Sequence, residues 1–137
     1  SPRRNVVGWD GNRLAMLTAV LEARCGVPLS GRDIFLNVAG GLKISETAAD
    51  LAVAAALISS VSGRPAPPRS VFFGEVALSA ELRQVAQADA RLKEAAKLGF
   101  DMAVMPKPRK KLGAPSGLSI AQPSTLAELI EIMGGVR

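Results

Sequence analysis

Residues 33–61 read DIFLNVAGGLKISETAADLAVAAALISSV, and the change of rhythm inside this stretch decides the fold. Residues 33–39 are a short apolar run that reads as a strand. It stops at Gly40-Gly41, a pair able to take the positive φ that a strand return needs. Residues 42–45 read as the returning strand. Thr47 and Asp50 then make a Thr-x-x-Asp capping pattern that opens a helix to about Val61. Ala48, Ala49, Ala52, Ala54, Ala55 and Ala56 share that helix with Leu51, Val53, Leu57 and Ile58. A helix apolar nearly all round is expected to be buried, and its small residues let a sheet approach closely.

Upstream, residues 5–9 read as a strand. Asp10 can cap a helix to about Cys25, with Leu14, Leu17 and Leu21 on one stripe and Gly26 as the stop. Downstream, residues 63–69 form a Pro-rich loop, and residues 70–78 and 81–85 read as a hairpin or bulged pair. A helix over residues 87–98 stops at Gly99, and a strand follows over residues 100–105. The loop 106–117 is basic, residues 118–121 make a last strand, and residues 124–133 a last helix. Strands and helices interleave around a central hairpin, which predicts an α+β domain, a mixed sheet with packed helices. Residues 1–137 suffice for one domain with its own core, and no repeat or low-complexity segment interrupts them. The opening Ser1-Pro2 lacks an initiator methionine, so the chain is expected to be a piece of a longer protein.

Composition narrows the function. The chain is 48% hydrophobic and 21% charged, a globular balance. Its longest apolar stretch, around residues 51–58, is far too short to span a bilayer, and no secretory signal opens the sequence. With no histidine, Ser-His-Asp and Cys-His catalysis are excluded, and hydrolysis would need a lysine as base. One cysteine, Cys25, cannot form an internal disulfide. It reads as a structural thiol in a reducing, cytoplasmic setting. A net charge of +5 suits a polyanionic partner, nucleic acid above all. With 4% aromatics and no tyrosine, base stacking is not expected to be the main contact, so phosphate contacts by Lys and Arg would dominate.

The run Phe35-Leu36-Asn37-Val38-Ala39-Gly40-Gly41-Leu42-Lys43-Ile44, followed by Glu46-Thr47-Ala48-Ala49-Asp50-Leu51-Ala52, resembles the C-terminal domain of the bacterial RadA (Sms) recombination family. So do residues 10–17, the run Phe73-Gly74-Glu75-Val76-Ala77-Leu78, and residues 91–100 ending Glu94-Ala95-Ala96-Lys97-Leu98-Gly99-Phe100. The resemblance covers most of the chain in the right order. It implies a Lon-protease-like domain of the ribosomal-protein S5 domain 2-like class. In proteolytic relatives a serine opens the helix after the Gly-containing return, and the matching position here is Ala48. The partner lysine falls on Asp89 counted without gaps, or on Arg91 with a shift of two. Neither a methyl group nor Asp or Arg can do that chemistry, so the dyad is lost. Among other hydroxyls, Ser45 lies two residues from Lys43, and Ser30, Ser62 and Ser79 are available; Ser45 more simply leads into a helix cap.

What the resemblance implies is therefore not an enzyme but a module of a hexameric ATPase. It would act as ring scaffold and DNA contact, and support branch migration of recombination intermediates. ATP, magnesium and zinc would belong to the parent protein: this chain has no Gly-x-x-x-x-Gly-Lys-[Ser/Thr] run and too few cysteines for a zinc finger. Single-stranded DNA and further copies of itself are the implied partners, with a recombinase or replicative helicase reached through the parent. Lys43 and Arg83 are the leading candidates for DNA contact, and Arg13 is a third. Lys107, Arg109, Lys110 and Lys111 form the densest basic run, either a DNA contact or a solvated outer rim. Arg3 and Arg4 would lie near the junction to the ATPase. The alternative for all of them is an ordinary solvated charge. Trp9 is expected at the first strand's anchor, at a subunit boundary, or in the core. The rival functions are an active Ser-Lys peptidase and a pure oligomerisation domain without DNA contact.

Overall fold

A computed structural model describes residues 2–136. The first unit is a parallel crossover: strand β1 (Arg4–Val7), helix α1 (Gly11–Cys25) and strand β2 (Ile34–Asn37), with Arg4 opposite Ile34 and Val7 opposite Asn37. As the sequence requires, Asp10 caps α1 by accepting from the Asn12 N–H at 2.9 Å. Gly26 ends it at φ +68°. Leu14, Leu17 and Leu21 are buried on one stripe, and Trp9 joins the same core. Cys25 is only half-buried against that core, and its burial pushes the thiol's pKa up from 9.0.

Two expectations for the central stretch do not hold. Gly40 and Gly41 do take positive φ, +78° and +69°, but they coil into a short 3-10 turn (Ala39–Gly41) that gives the chain no return strand. Residues 42–45 pair with nothing as a ladder; the Ile44 N–H donating to the Gly8 carbonyl at 2.8 Å holds them. Nor does Thr47 cap the buried helix. Thr47–Ala49 is a 3-10 turn, and α2 (Asp50–Ser62) begins after it without a side-chain cap. A tertiary contact replaces the cap: the Leu51 N–H donates to the Gly74 carbonyl at 3.1 Å, while the Gly74 N–H donates to the Ala48 carbonyl at 2.9 Å. Helix α2 is buried as expected, through Leu51, Ala54, Ala55, Leu57 and Ile58.

The expected central hairpin shrinks for a similar reason. Strand β3 (Ser70–Phe72) joins a parallel sheet in the order β3-β6-β7, with β6 (Met102–Val104) in the middle and β7 (Ser119–Ala121) beyond. At Gly74 the chain presses on the Pro106 ring, where a Cβ would come within 2.7 Å, and it changes course. Only β4 (Glu75–Val76) and β5 (Leu82–Arg83) pair antiparallel. Helix α3 (Ala88–Lys97) and helix α4 (Leu126–Ile132) complete the four helices of the described residues. Thr125 caps α4 by accepting from the Glu128 N–H at 3.2 Å.

The parallel sheet separates two apolar clusters, as burial on both faces demands. Phe72, Met102, Val104 and Ala121 face the main cluster with α1, α2 and α4. Val71, Ala103 and Ile120 face a smaller one under α3, with Phe73, Leu92, Ala95 and Met105. The architecture is a mixed α/β domain in which parallel pairing exceeds antiparallel, more than the sequence suggested.

Candidate nucleic-acid interface

The 3-10 turn before α2 and the return from β5 to α3 enclose a shallow depression of about 340 Å³. It is lined by Ala48, Thr47 and Glu46 from one side and by Val85, Ala86 and Arg91 from the other. Asp89 is exposed on the first turn of α3 and does not line it. Of Asp89 and Arg91, the two positions that the resemblance offered, the structure brings Arg91 to the depression at Ala48. The Arg91 guanidinium donates to the Ala86 carbonyl at 3.0 Å and to Glu46 at 2.7 Å, and sits 5.8 Å from the centre of the Phe73 ring. Thr47 brings a hydroxyl to the depression, but no lysine lines it to activate that hydroxyl. Ser62 and Ser79 are turned to their own backbone, donating to the Ser59 carbonyl and accepting from the Glu81 N–H.

Arg83, on β5, points outward between two further depressions. One, about 450 Å³, connects it with Arg13, Glu75 and Met16. The other, about 560 Å³, is lined by Leu82, Arg83, Gln84, Lys107 and Arg109. Gln84 ties this second basin together: its Nε2 donates to the Lys107 carbonyl at 2.8 Å and fixes the base of the basic loop against β5. Pro106, one residue earlier, is buried against Gly74. Three cations from two segments, β5 and the basic loop, thus share one concavity. The partly buried Glu75 stands 3.8 Å from the Arg83 guanidinium, which is itself exposed to screening.

The other candidates lie elsewhere. Lys110 and Lys111 are exposed further along the loop and do not line the basin. Lys43 is exposed beyond the Gly40-Gly41 turn, on the segment that runs beside Gly8. Arg13 needs a correction as a free cation, because its guanidinium is taken up by the buried carboxylate of Asp50 through Nε at 2.7 Å and through Nη2. That bond raises the basicity of Arg13, whereas an open phosphate contact needs unspent donors. Arg4 is spent on the Leu29 and Arg32 carbonyls. Sequence reading missed Gln84, Glu46 and Asp50. A neutral glutamine between a strand and a helix carries no charge pattern, and an acidic residue at a helix start looks like a cap.

Small parallel sheets with helical crossovers, and a shallow pocket with alanine at the helix start, define a mixed α/β domain. The chain belongs to the ChlI family, whose model, described as subunit ChlI of Mg-chelatase, matches residues 13–109. It is 52% identical to the DNA repair protein RadA of Brucella abortus over 95% of its own length and 28% of that protein's. It is 54% identical to the DNA repair protein RadA of Rickettsia felis, covering 78% of this chain and 24% of the relative. The protein of the same name from Pseudomonas aeruginosa is 46% identical over 97% of this chain and 29% of its own. The chain thus spans about a quarter of the length of these relatives. No helix of the described residues is long and apolar enough to cross a membrane.

Proposed function

We propose that this chain is the Lon-protease-like C-terminal domain of a RadA-type DNA repair protein, with the ribosomal-protein S5 domain 2-like fold. It works without proteolysis, in the cytoplasm, as a ring-building and DNA-contacting module for branch migration. The observation that carries the reading is the basin where Arg83, Lys107 and Arg109 converge. Such a surface suits the phosphates of single-stranded DNA, whose binding releases counterions and weakens with salt. Lys43 extends the basic surface, and Lys110 and Lys111 supplement it from the loop.

The depression at Ala48 supports the non-proteolytic half of the reading, since an arginine paired with Glu46 cannot act as a base. ATP, magnesium and zinc belong to other parts of the longer protein, as do contacts with a recombinase or replicative helicase. The family's description mentions a Mg-chelatase, but among the described residues no three of His, Cys, Asp and Glu gather to hold a metal ion. No step here runs through magnesium.

The test is a salt titration of single-stranded DNA binding, with light scattering for assembly. Replacing Arg83, Lys107 and Arg109 by alanine should lower the slope of log K against log salt by about 2, at roughly 0.7 per phosphate contact. A slope near zero in the unaltered chain would favour a pure assembly domain. Cleavage of a protein substrate would restore the peptidase reading.

A further inference from the structure

Strand β1 and strand β2 alternate cleanly: Val6, Ile34 and Leu36 turn into the main core, while Asn5, Val7, Phe35 and Asn37 turn outward. In the parallel register Asn5 lies opposite Phe35 and Val7 opposite Asn37. The outer face of this two-stranded sheet therefore carries an aromatic ring, 65% exposed, between two carboxamides. Solvent-facing strand positions ordinarily take polar residues, as Asn5 and Asn37 do, so the outward Phe35, with Val7 also exposed on the same face, is the anomaly. The cations flank it. Lys43 lies at the Val7 end, where Ile44 bonds to Gly8. At the Asn5 end Arg3 continues the outward alternation opposite Asp33, whose carboxylate accepts the Arg3 N–H at 2.7 Å. From residue 3 to residue 7 the strip is about 13 Å long.

We infer that the outer face of β1 and β2 is a stacking platform for an unpaired nucleobase of single-stranded DNA, with Phe35 under the base, Asn5 and Asn37 at its edge, and Lys43 on the phosphate. This rests on the nucleic-acid reading above and adds a base contact to one based on phosphates. Aromatic rings on sheet faces take bases of any sequence because every base has a π face, and Lys43 at the Val7 end supplies a phosphate contact. The low aromatic content argued against stacking as the main contact, but one outward ring suffices for one base.

The experiment measures fluorescence anisotropy of the 137-residue chain on labelled (dT)20 and on an abasic strand with the same number of phosphates, across a range of salt. The unaltered chain should prefer (dT)20 by about tenfold. Phe35→Ala should erase that preference and leave the salt slope unchanged, Phe35→Trp should keep it, and Lys43→Ala should lower the slope on both strands alike. Equal binding of both strands by the unaltered chain, or a preference that survives Phe35→Ala, would overturn the platform and leave the phosphate basin standing. Binding to neither strand would overturn both. A fall in particle mass on Phe35→Ala, seen by light scattering with no change in base preference, would assign this face to a second copy of the chain.

Discussion

Arg13 Nε lies 2.7 Å from Asp50 Oδ1, and the same carboxylate accepts the Val76 N–H at 2.9 Å, so one fully buried acid joins the starts of α1 and α2 to strand β4. Two charges removed from water repay their desolvation only when every lone pair is used, and here three donors converge on one carboxylate. Asp50→Ala should cost about 3–5 kcal/mol, because it strands the guanidinium and leaves the Val76 N–H unmatched. The pair Arg13→Met with Asp50→Leu should cost less than Asp50→Ala alone. Urea unfolding of the two single variants and the double variant checks this, and additive losses would contradict it.

Gly8 and Gly41, which follow β1 and β2, use positive φ in different surroundings. A Cβ at Gly8 would come within 2.5 Å of the Leu42 carbonyl oxygen and 2.7 Å of Val38 Cβ, at φ +88°. Gly41 has the same kind of backbone at φ +69° but open space around it. Gly41→Ala should therefore cost about 1–2 kcal/mol from backbone conformation alone. Gly8→Ala should cost clearly more, and its thermal midpoint should fall further than that of Gly41→Ala.

Glu22, near the end of α1, holds the loop that follows by accepting from the Leu29 and Ser30 N–H groups. The Ser30 hydroxyl, then the Ser30 N–H at 2.7 Å, favour its carboxylate and hold its pKa below 4.5. A lowered folded-state value contributes stability above the unfolded value, and that contribution disappears as the pH falls through the folded value. Glu22→Gln should thus weaken the protein modestly near neutrality and flatten the loss of stability below about pH 4.5. Unfolding curves from pH 3 to pH 7 show whether the acid limb changes.

Cys25 carries the opposite sign. Burial keeps its thiol neutral beyond 9.0, so above that pH the unfolded chain ionises first and stability falls until the folded thiol titrates as well. Cys25→Ser should remove this alkaline drop. Alkylation of the native thiol at pH 8 should also be slower than that of free cysteine.

Local signals in the sequence carried the parts of the fold that depend on local chemistry. Asp10 and Gly26 bound α1 because a cap and a left-handed stop act within one turn, and Leu14, Leu17 and Leu21 mark the buried stripe by spacing alone. Thr47 misled because its pattern competes with a carbonyl from Gly74, 27 residues away, which no local rule foresees. Strand β3 was assigned to a hairpin because short apolar runs do not announce their partner, and the true one, β6, lies beyond α3. At the site, Ala48 was legible as a position of interest, whereas the depression it shares with Arg91 and not with Asp89 depends on the return from β5 to α3. Arg83, Lys107 and Arg109 were visible as charges, but their shared basin depends on Gln84 Nε2 and its bond across the fold. The outward ring of Phe35 was likewise invisible until the register showed which way the strand faces.

The division of the apolar interior by the β3-β6-β7 sheet sets how the molecule opens. The cluster under α3 contains only six buried residues, and it is separate from the one that holds α1 and α2 together. Helix α3 can therefore exchange its amide hydrogens through a partial opening that leaves the larger half intact, while amides in α1 wait for complete unfolding. The helix that carries Arg91 would then be the first region to breathe, and the depression beside Ala48 would loosen with it.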